Sequence, residues 1–201
     1  YLSRRCDIFA YFITHVTEFL NEDGKLGFIT SDRWLDTQYG EDVQKFILNH
    51  FEIDAIIKFD RQVFDDALVD ASVLILSKQH DKDERNQNVA KFLRLKEEMD
   101  VENIAEVVED DIEADKMRST EDYRLVTREQ GVLYDENKWN VFFFAPLIYF
   151  DIISDDDVVE LSEIADVTYG VKTGANPFFF GNTEDMEDLG LGPYSSYALK
   201  A

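Results

Sequence analysis

Two stretches of this 201-residue chain carry side chains whose types and spacing can do chemistry. The first is the loop from Asp60 to Asp70, where a large aromatic, Phe64, stands among acids between two apolar runs. A long loop between strands is more often functional than accidental, and a flat ring on it can stack on a planar ligand. The same ring can instead close over the core as a lid, and the residues alone leave both roles open. The second stretch is 170–180, Gly-Val-Lys-Thr-Gly-Ala-Asn-Pro-Phe-Phe-Phe. Gly170 and Gly174 suit a tight loop. Lys172, Thr173 and Asn176 can meet phosphates or base edges, and the phenylalanines can stack on bases. The alternative is a glycine-rich β-turn packed by its own phenylalanines. Gly-Val-Lys-Thr-Gly is not a phosphate-binding P-loop, which needs GxxxxGK followed by Ser or Thr.

Other chemistries find little support. Cys6 is the sole cysteine, so no disulfide framework or thiolate metal cluster can form within the chain. His15, His50 and His80 are scattered, with no Cys or carboxylate at ligand spacing, and no metal site is expected. No apolar run reaches the roughly 18 residues that a membrane span needs. Forty-three acids against twenty bases give a net charge of −23, spread along the whole chain and densest at 97–122. An evenly acidic chain with 45% hydrophobic residues reads as a globular protein of a salt-rich cytoplasm, where screening removes self-repulsion. Such charge opposes a nucleic-acid partner in dilute salt. At molar salt the Debye length falls to about 3 Å and the objection weakens.

Apolar periodicity outlines the elements that would position these residues. Ile8, Phe9, Phe12, Ile13, Val16, Phe19 and Leu20 form one wide stripe, predicting a helix over 7–20 with Asp7 as N-cap and Gly24 free for positive φ after it. A strand at 25–30 follows, then a polar loop at Ser31-Asp32-Arg33, then a helix at 41–50. Two β-branched runs, 53–59 and 71–77, predict adjacent antiparallel strands flanking the Phe64 loop. Helix, strand, helix, strand, strand fits a parallel doubly wound sheet ending in a strand pair, with ligands at the C-terminal strand ends. Beyond it, 89–95 reads as an edge strand. Segment 97–122 reads as a surface helix with Val101, Ile104, Val107 and Val108 inward. Residues 123–133 read as a strand pair or one bent strand, and 139–153 as a helix between domains or a buried strand and helix. A new unit begins near Val158.

These pieces resemble the adenine-specific (N6) DNA methyltransferases of restriction–modification systems, of the type IIG, Eco57I-like class with an Asn-Pro-Pro-Tyr catalytic motif. The matching residues are 7–35, DIFAYFITHVTEFLNEDGKLGFITSDRWL; 39–60, YGEDVQKFILNHFEIDAIIKFD; and 63–78, VFDDALVDASVLILSK. LSEIADVTYGVKTGANPFFF at 161–180 resembles the start of the recognition domain. The glycine-rich loop that grips S-adenosylmethionine and the Asn-Pro-Pro-Tyr segment have no counterpart here and would lie upstream of Tyr1.

The resemblance implies an α/β fold: a partial Rossmann-like methyltransferase sheet ending in an antiparallel pair, then an α+β segment. Residues 1–96 would be the C-terminal half of the catalytic domain, 97–157 an acidic connecting region, and 158–201 the start of a target-recognition domain. It implies a cytoplasmic enzyme with S-adenosylmethionine as cofactor and double-stranded DNA as substrate. The N-terminal half of the same enzyme and a restriction subunit or domain would be partners, and the fragment alone would be inactive. Phe64 would stack on the flipped adenine. Phe12 matches an aromatic beside the cofactor's adenine, although its place on the apolar stripe suits core packing equally. Lys172, Thr173 and Asn176 would contact DNA. A non-catalytic DNA-specificity module working with a partner subunit is the competing reading, but such a module has no need of the first 78 residues.

Overall fold

The computed structural model describes residues 6–64, 70–136, 138–153, 155, 157–159, 161–166 and 181–194. Helix α1 (Ile8–Val16) ends in a 3-10 turn, Thr17–Phe19, and leads into β1 (Lys25–Ser31). A 3-10 turn at Asp32–Leu35 precedes α2 (Gln38–His50), which runs directly into β2 (Phe51–Phe59). Then come β3 (Ala71–Lys78), α3 (Lys82–Gln87), β4 (Val89–Leu95), α4 (Val101–Glu109), β5 (Met117–Ser119) and β6 (Tyr123–Glu129). A 3-10 turn at Gln130–Asp135 and two short helices, α5 (Val141–Phe144) and α6 (Leu147–Ile153), follow.

The six strands form one sheet in the order β1-β3-β2-β4-β6-β5. The expected antiparallel pair is present, β2 against β3. The sheet does not end there. β3 lies between β1 and β2 and is antiparallel to both, so β1 and β2 run the same way without touching. β4 adds in parallel to β2, and β6 and β5 extend the sheet antiparallel. Segment 97–157 thus supplies two strands to the same sheet, and the purely parallel arrangement expected before the pair is not found. Interleaving satisfies both edges of β2 and β3, which suits strands whose side chains are buried on both faces.

A bulge at Asp54 sets those faces. The register slips between Ile53 and Ala55, so Ile53 and Ile56 meet one core while Ala55 and Ile57 meet the other. The larger core lies under α1, α2 and α5, around Ile13, Trp34, Ile47, Phe92, Trp139 and Phe142. The indoles of Trp34 and Trp139 meet edge to face at 5.8 Å, and Phe92 lies 4.4 Å from Phe142. The smaller core lies under α4, where Ile104, Val107 and Val108 pack as the periodicity predicts, while Val101 stays exposed.

Several expectations are corrected. The α1 stripe is not one buried face: Phe9, Ala10 and Ile13 turn inward, whereas Ile8, Phe12 and Phe19 turn outward. Asp7 occupies the N-cap position without a side-chain cap bond. Asp23, not Gly24, takes positive φ in the turn before β1. The helix expected across 97–122 is confined to α4, and 123–133 is one strand followed by a 3-10 turn. The apolar run 139–153 is two helices split at Ala145-Pro146, since proline lacks the amide that would continue the first.

Contacts divide the chain into Tyr1–Ile152 and Ile153–Ala201. Among its described residues the second unit holds two short helices, α7 (Leu161–Ile164) and α8 (Thr183–Asp188). Asn182 caps α8 by accepting the Asp185 amide at 2.7 Å. Gly190, at φ 65°, closes its C-terminal end, a conformation that costs glycine nothing.

Candidate functional site at the sheet rim

β1, β2 and β4 all run in one direction, so their C-terminal ends lie along one rim. In sheets of this kind that rim is where ligands bind. Backbone bonds knit it together: the Asp32 amide donates to the Asp70 carbonyl at 3.0 Å, and the Asp60 amide to the Leu95 carbonyl at 2.9 Å.

The side chains at the rim form a charged network. Lys58 Nζ lies 2.6 Å from Asp32 Oδ2, with side-chain exposures of only 12% and 11%. Lys58 also donates to Asn140 Oδ1 at 2.8 Å, and Asn140 Nδ2 donates to Asp36 Oδ2 at 2.6 Å. A residue 82 positions away along the chain thereby ties β2 to the turn after β1. Breaking such a buried pair by removing one partner costs about 3–5 kcal/mol, because the other charge stays buried. Next to it, Arg94 on β4 grips Asp60 with two bonds, at 2.7 and 2.8 Å. The Phe144 ring covers both cations, 4.3 Å from the Arg94 guanidinium and 5.0 Å from Lys58 Nζ. Arg61 pairs with Glu97.

Phe64 stands just past the end of β2, 45% exposed and outside both buried cores among the described residues. Gln62 Nε2 donates to its carbonyl at 2.7 Å, which fixes the backbone that presents the ring. Phe12 is 57% exposed on the outer face of α1, beside Ile8 and Tyr11 rather than in the core. Phe12 and Phe64 share no ring contact among the described residues. Lys172, Thr173 and Asn176 lie outside the described residues. Sequence reading singled out the Ser31-Asp32-Arg33 loop but missed Lys58, Arg94, Asn140 and Phe144. A lone lysine near the end of an apolar strand was the available signal for Lys58. Nothing in the sequence announces Asn140, whose role depends on a fold-wide contact.

Among the described residues no group of three or more His, Cys, Asp or Glu could hold a metal ion, and no helix is long and apolar enough to cross a membrane. Ser31 Oγ, at the end of β1, is buried without a partner.

A model of the Eco57I restriction-modification methylase family matches residues 1–64, the span from α1 through β2 to Phe64. The Type II methyltransferase M.AccI of Acinetobacter calcoaceticus is 22% identical over 187 residues, covering 92% of this chain and 32% of that protein. The Type II methyltransferase M.BstVI of Geobacillus stearothermophilus reaches 40% identity over 53 residues, 26% of this chain and 9% of that protein. The crystal structure of the type IIG restriction endonuclease BpuSI matches with a TM-score of 0.54 at 16% identity, covering 69% of this chain and 16% of that one. At that identity the likeness shows the fold. The chain is therefore similar to restriction–modification methyltransferases, and its mixed α/β sheet is of their kind. It spans 32% of the length of M.AccI and 34% of the length of the Type II methyltransferase M.BanIII of Aneurinibacillus aneurinilyticus.

Proposed function

We propose that this chain is the C-terminal part of the catalytic domain, and the start of the target-recognition domain, of a DNA adenine N6-methyltransferase in a restriction–modification or phage-defence system. The match over residues 1–64 carries the reading, because it falls on the elements that frame the rim. The exocyclic amine of adenine is out of reach inside the duplex. Enzymes that modify a base turn it out of the stack at a cost of a few kcal/mol and hold it by stacking and edge hydrogen bonds. Phe64, exposed on a backbone fixed by Gln62, offers the stacking face. Asn140, Lys58 and Asp32 tie the end of β2 to the turn after β1.

S-adenosylmethionine would supply the methyl group. The described residues do not by themselves fit it. Among the described residues Ser31 Oγ and, just past the turn, Thr37 Oγ1 are buried hydroxyls without a hydrogen-bond partner, while the buried Asp32 carboxylate is already taken by Lys58. The cofactor's main contacts fall to the N-terminal half of the same enzyme. That half has a suitable seat: among the described residues β1 is a sheet edge, and α1 with the 3-10 turn after it leaves Ile8, Tyr11, Phe12 and Phe19 exposed. Phe12 would then face the cofactor-bearing half. Lys172, Thr173 and Asn176 are assigned to DNA contact in the recognition domain.

Incubating the full-length enzyme with duplex DNA and labelled S-adenosylmethionine tests the reading. N6-methyladenine is the expected product, and methylcytosine or an unmodified duplex refutes it. An unmodified duplex that is nonetheless bound site-specifically favours the specificity-module alternative. The 201-residue chain alone is expected neither to methylate DNA nor to bind the cofactor at micromolar concentration. Calorimetry finding micromolar binding would overturn the fragment assignment.

A further inference from the structure

Three cations stand side by side across the sheet, with unequal partners. Lys58 on β2 is in register with Arg94 on β4, and Arg94 with Arg124 on β6. In-register neighbours point to one face of a sheet, here the face that carries α5. Lys58 is matched by Asp32, and Arg94 by Asp60. Arg124 has no carboxylate partner among the described residues. Its Nη2 donates to the Ala145 carbonyl, and its Nε is buried without a partner. Burial, and then the neighbouring Arg94, push its pKa below the usual guanidinium value.

A partly buried charge without a counter-charge costs stability, and a bound anion returns that cost. The fold spends one of only twenty bases, in a chain of net charge −23, on such a position. The Phe144 ring, 45% exposed, lies over the other two members of the row, Arg94 and Lys58, and the carbonyl of the next residue, Ala145, meets Arg124. Guanidinium forks match phosphate geometry, and a ring beside a phosphate site gives the neighbouring base a stacking surface.

We propose that the Arg124 end of this row, next to the Arg94 that Phe144 covers, is a subsite for one backbone phosphate of bound nucleic acid. The choice of a phosphodiester over other anions rests on the DNA reading above. The test measures binding of the 201-residue chain to a labelled 20-base-pair duplex as a function of KCl, by fluorescence anisotropy. Each phosphate contact contributes about 0.9 to the slope of log K against log salt. Arg124→Gln is expected to lower that slope by about one and to weaken binding about tenfold at 50 mM KCl. Arg124→Lys is expected to restore the slope. Ser119→Asp places a carboxylate on the exposed β5 residue opposite Arg124 and is expected to act like Arg124→Gln without touching the core. It also stands in if Arg124→Gln fails to fold. Arg118→Gln, which removes a cation held by Asp110 on the other face, is expected to leave the slope unchanged. An unchanged slope in both Arg124→Gln and Ser119→Asp overturns the subsite, as does a wild-type chain that does not bind the duplex. If poly-glutamate displaces the duplex as readily as inorganic polyphosphate does, the row is a general acidic-partner surface and the proposal fails. Methylation by the full-length enzyme is read separately, so the subsite can fall while the enzymatic reading stands.

Discussion

The two ends of the sheet are finished in opposite ways. At the N-terminal end of β2, acids crowd together. Burial, then Asp54, Glu84 and Asp23, raise the Glu52 carboxyl above its usual value. The cations there mostly close the fold. Lys78 donates to the carbonyls of Thr17 and Leu20, and Arg85 to those of Leu48, Gln79 and His80. At the opposite rim, burial and then Arg94 lower the pKa of the Arg124 guanidinium from its usual value. There the cations form a row with one member lacking a carboxylate, and two phenylalanines, Phe64 and Phe144, stay exposed. The acid end turns its hydrogen-bonding capacity inward, as a structural end does. The rim keeps charge and aromatic surface available, as a binding end does.

The strongest way to break this comparison is to cut the closed end. Gln130 is fully buried there: its Nε2 donates to the Phe51 carbonyl at 2.7 Å, and its Oε1 accepts from the Ile53 amide at 2.9 Å and from Asn88 at 2.8 Å. Gln130→Leu strands the Phe51 carbonyl and the Ile53 amide, each costing about 1–3 kcal/mol when buried unpaired, while Asn88 keeps its bond to the Ile53 carbonyl. Denaturant unfolding should show a loss of several kcal/mol. A loss within experimental error would mean that this end is not held together by its internal bonds.

At the rim the largest effect should fall on activity instead. Base stacking is worth about 1–3 kcal/mol by alanine substitution. Phe64→Ala in the full-length enzyme should therefore slow methylation by roughly one to two orders of magnitude, at about 1.4 kcal/mol per tenfold. Its melting temperature should hold, because the ring is half exposed and packs in neither core. Phe64→Trp should keep much of the rate, since stacking needs a flat face rather than one shape. Rate and melting temperature falling together would make Phe64 a packing residue.

The contrast explains what was legible in the sequence. The strands of the closed core were readable because Ile53, Ile56, Leu74 and Leu76 sit in short apolar runs rich in β-branched residues and bounded by charge. Their spatial order was not, since placing β3 between β1 and β2 depends on pairing across long separations. The bulge at Asp54 was equally invisible, because the alternation Ile-Asp-Ala-Ile-Ile reads smoothly until the partner strand fixes the register. Phe64 stood out because an aromatic on a polar loop violates the local pattern. Arg94 and Arg124 did not, because an arginine at a strand end is ordinary until two others line up beside it. The α1 stripe misled for a related reason. Periodicity counts apolar residues but cannot tell a face buried in this chain from one left open, as Phe12 and Phe19 are.

Salt should act on the two ends unequally. With net charge −23, screening relieves more repulsion among acids than it costs at the cation row. The melting temperature should climb between low salt and molar KCl by a few degrees, each kcal/mol being worth about 2–4 °C in a chain of this size. A flat or falling profile would remove the assignment to a salt-rich cytoplasm.

The smallest expected effect, and the sharpest on the acid end, is that of Glu52→Gln. Because Glu52 holds its proton more tightly in the folded chain than in the unfolded one, its contribution to stability is whole below the unfolded value near 4.5 and is lost as pH rises through the raised folded value. Glutamine keeps the shape and cannot ionise, so this loss disappears. The variant should melt above the wild type at pH 7 and coincide with it below about pH 4.5. Burial contributes most to the shift, and Asp54, Glu84 and Asp23 add to it. Molar KCl should therefore shrink the difference at pH 7 without abolishing it, since salt screens charges but does not rehydrate a buried carboxylate. A difference that vanishes entirely in salt would make the acid end a matter of surface repulsion alone. A variant less stable than the wild type at pH 7 would mean that the carboxylate holds a bond that stabilises this end, and the contrast between the two ends would lose its electrostatic basis.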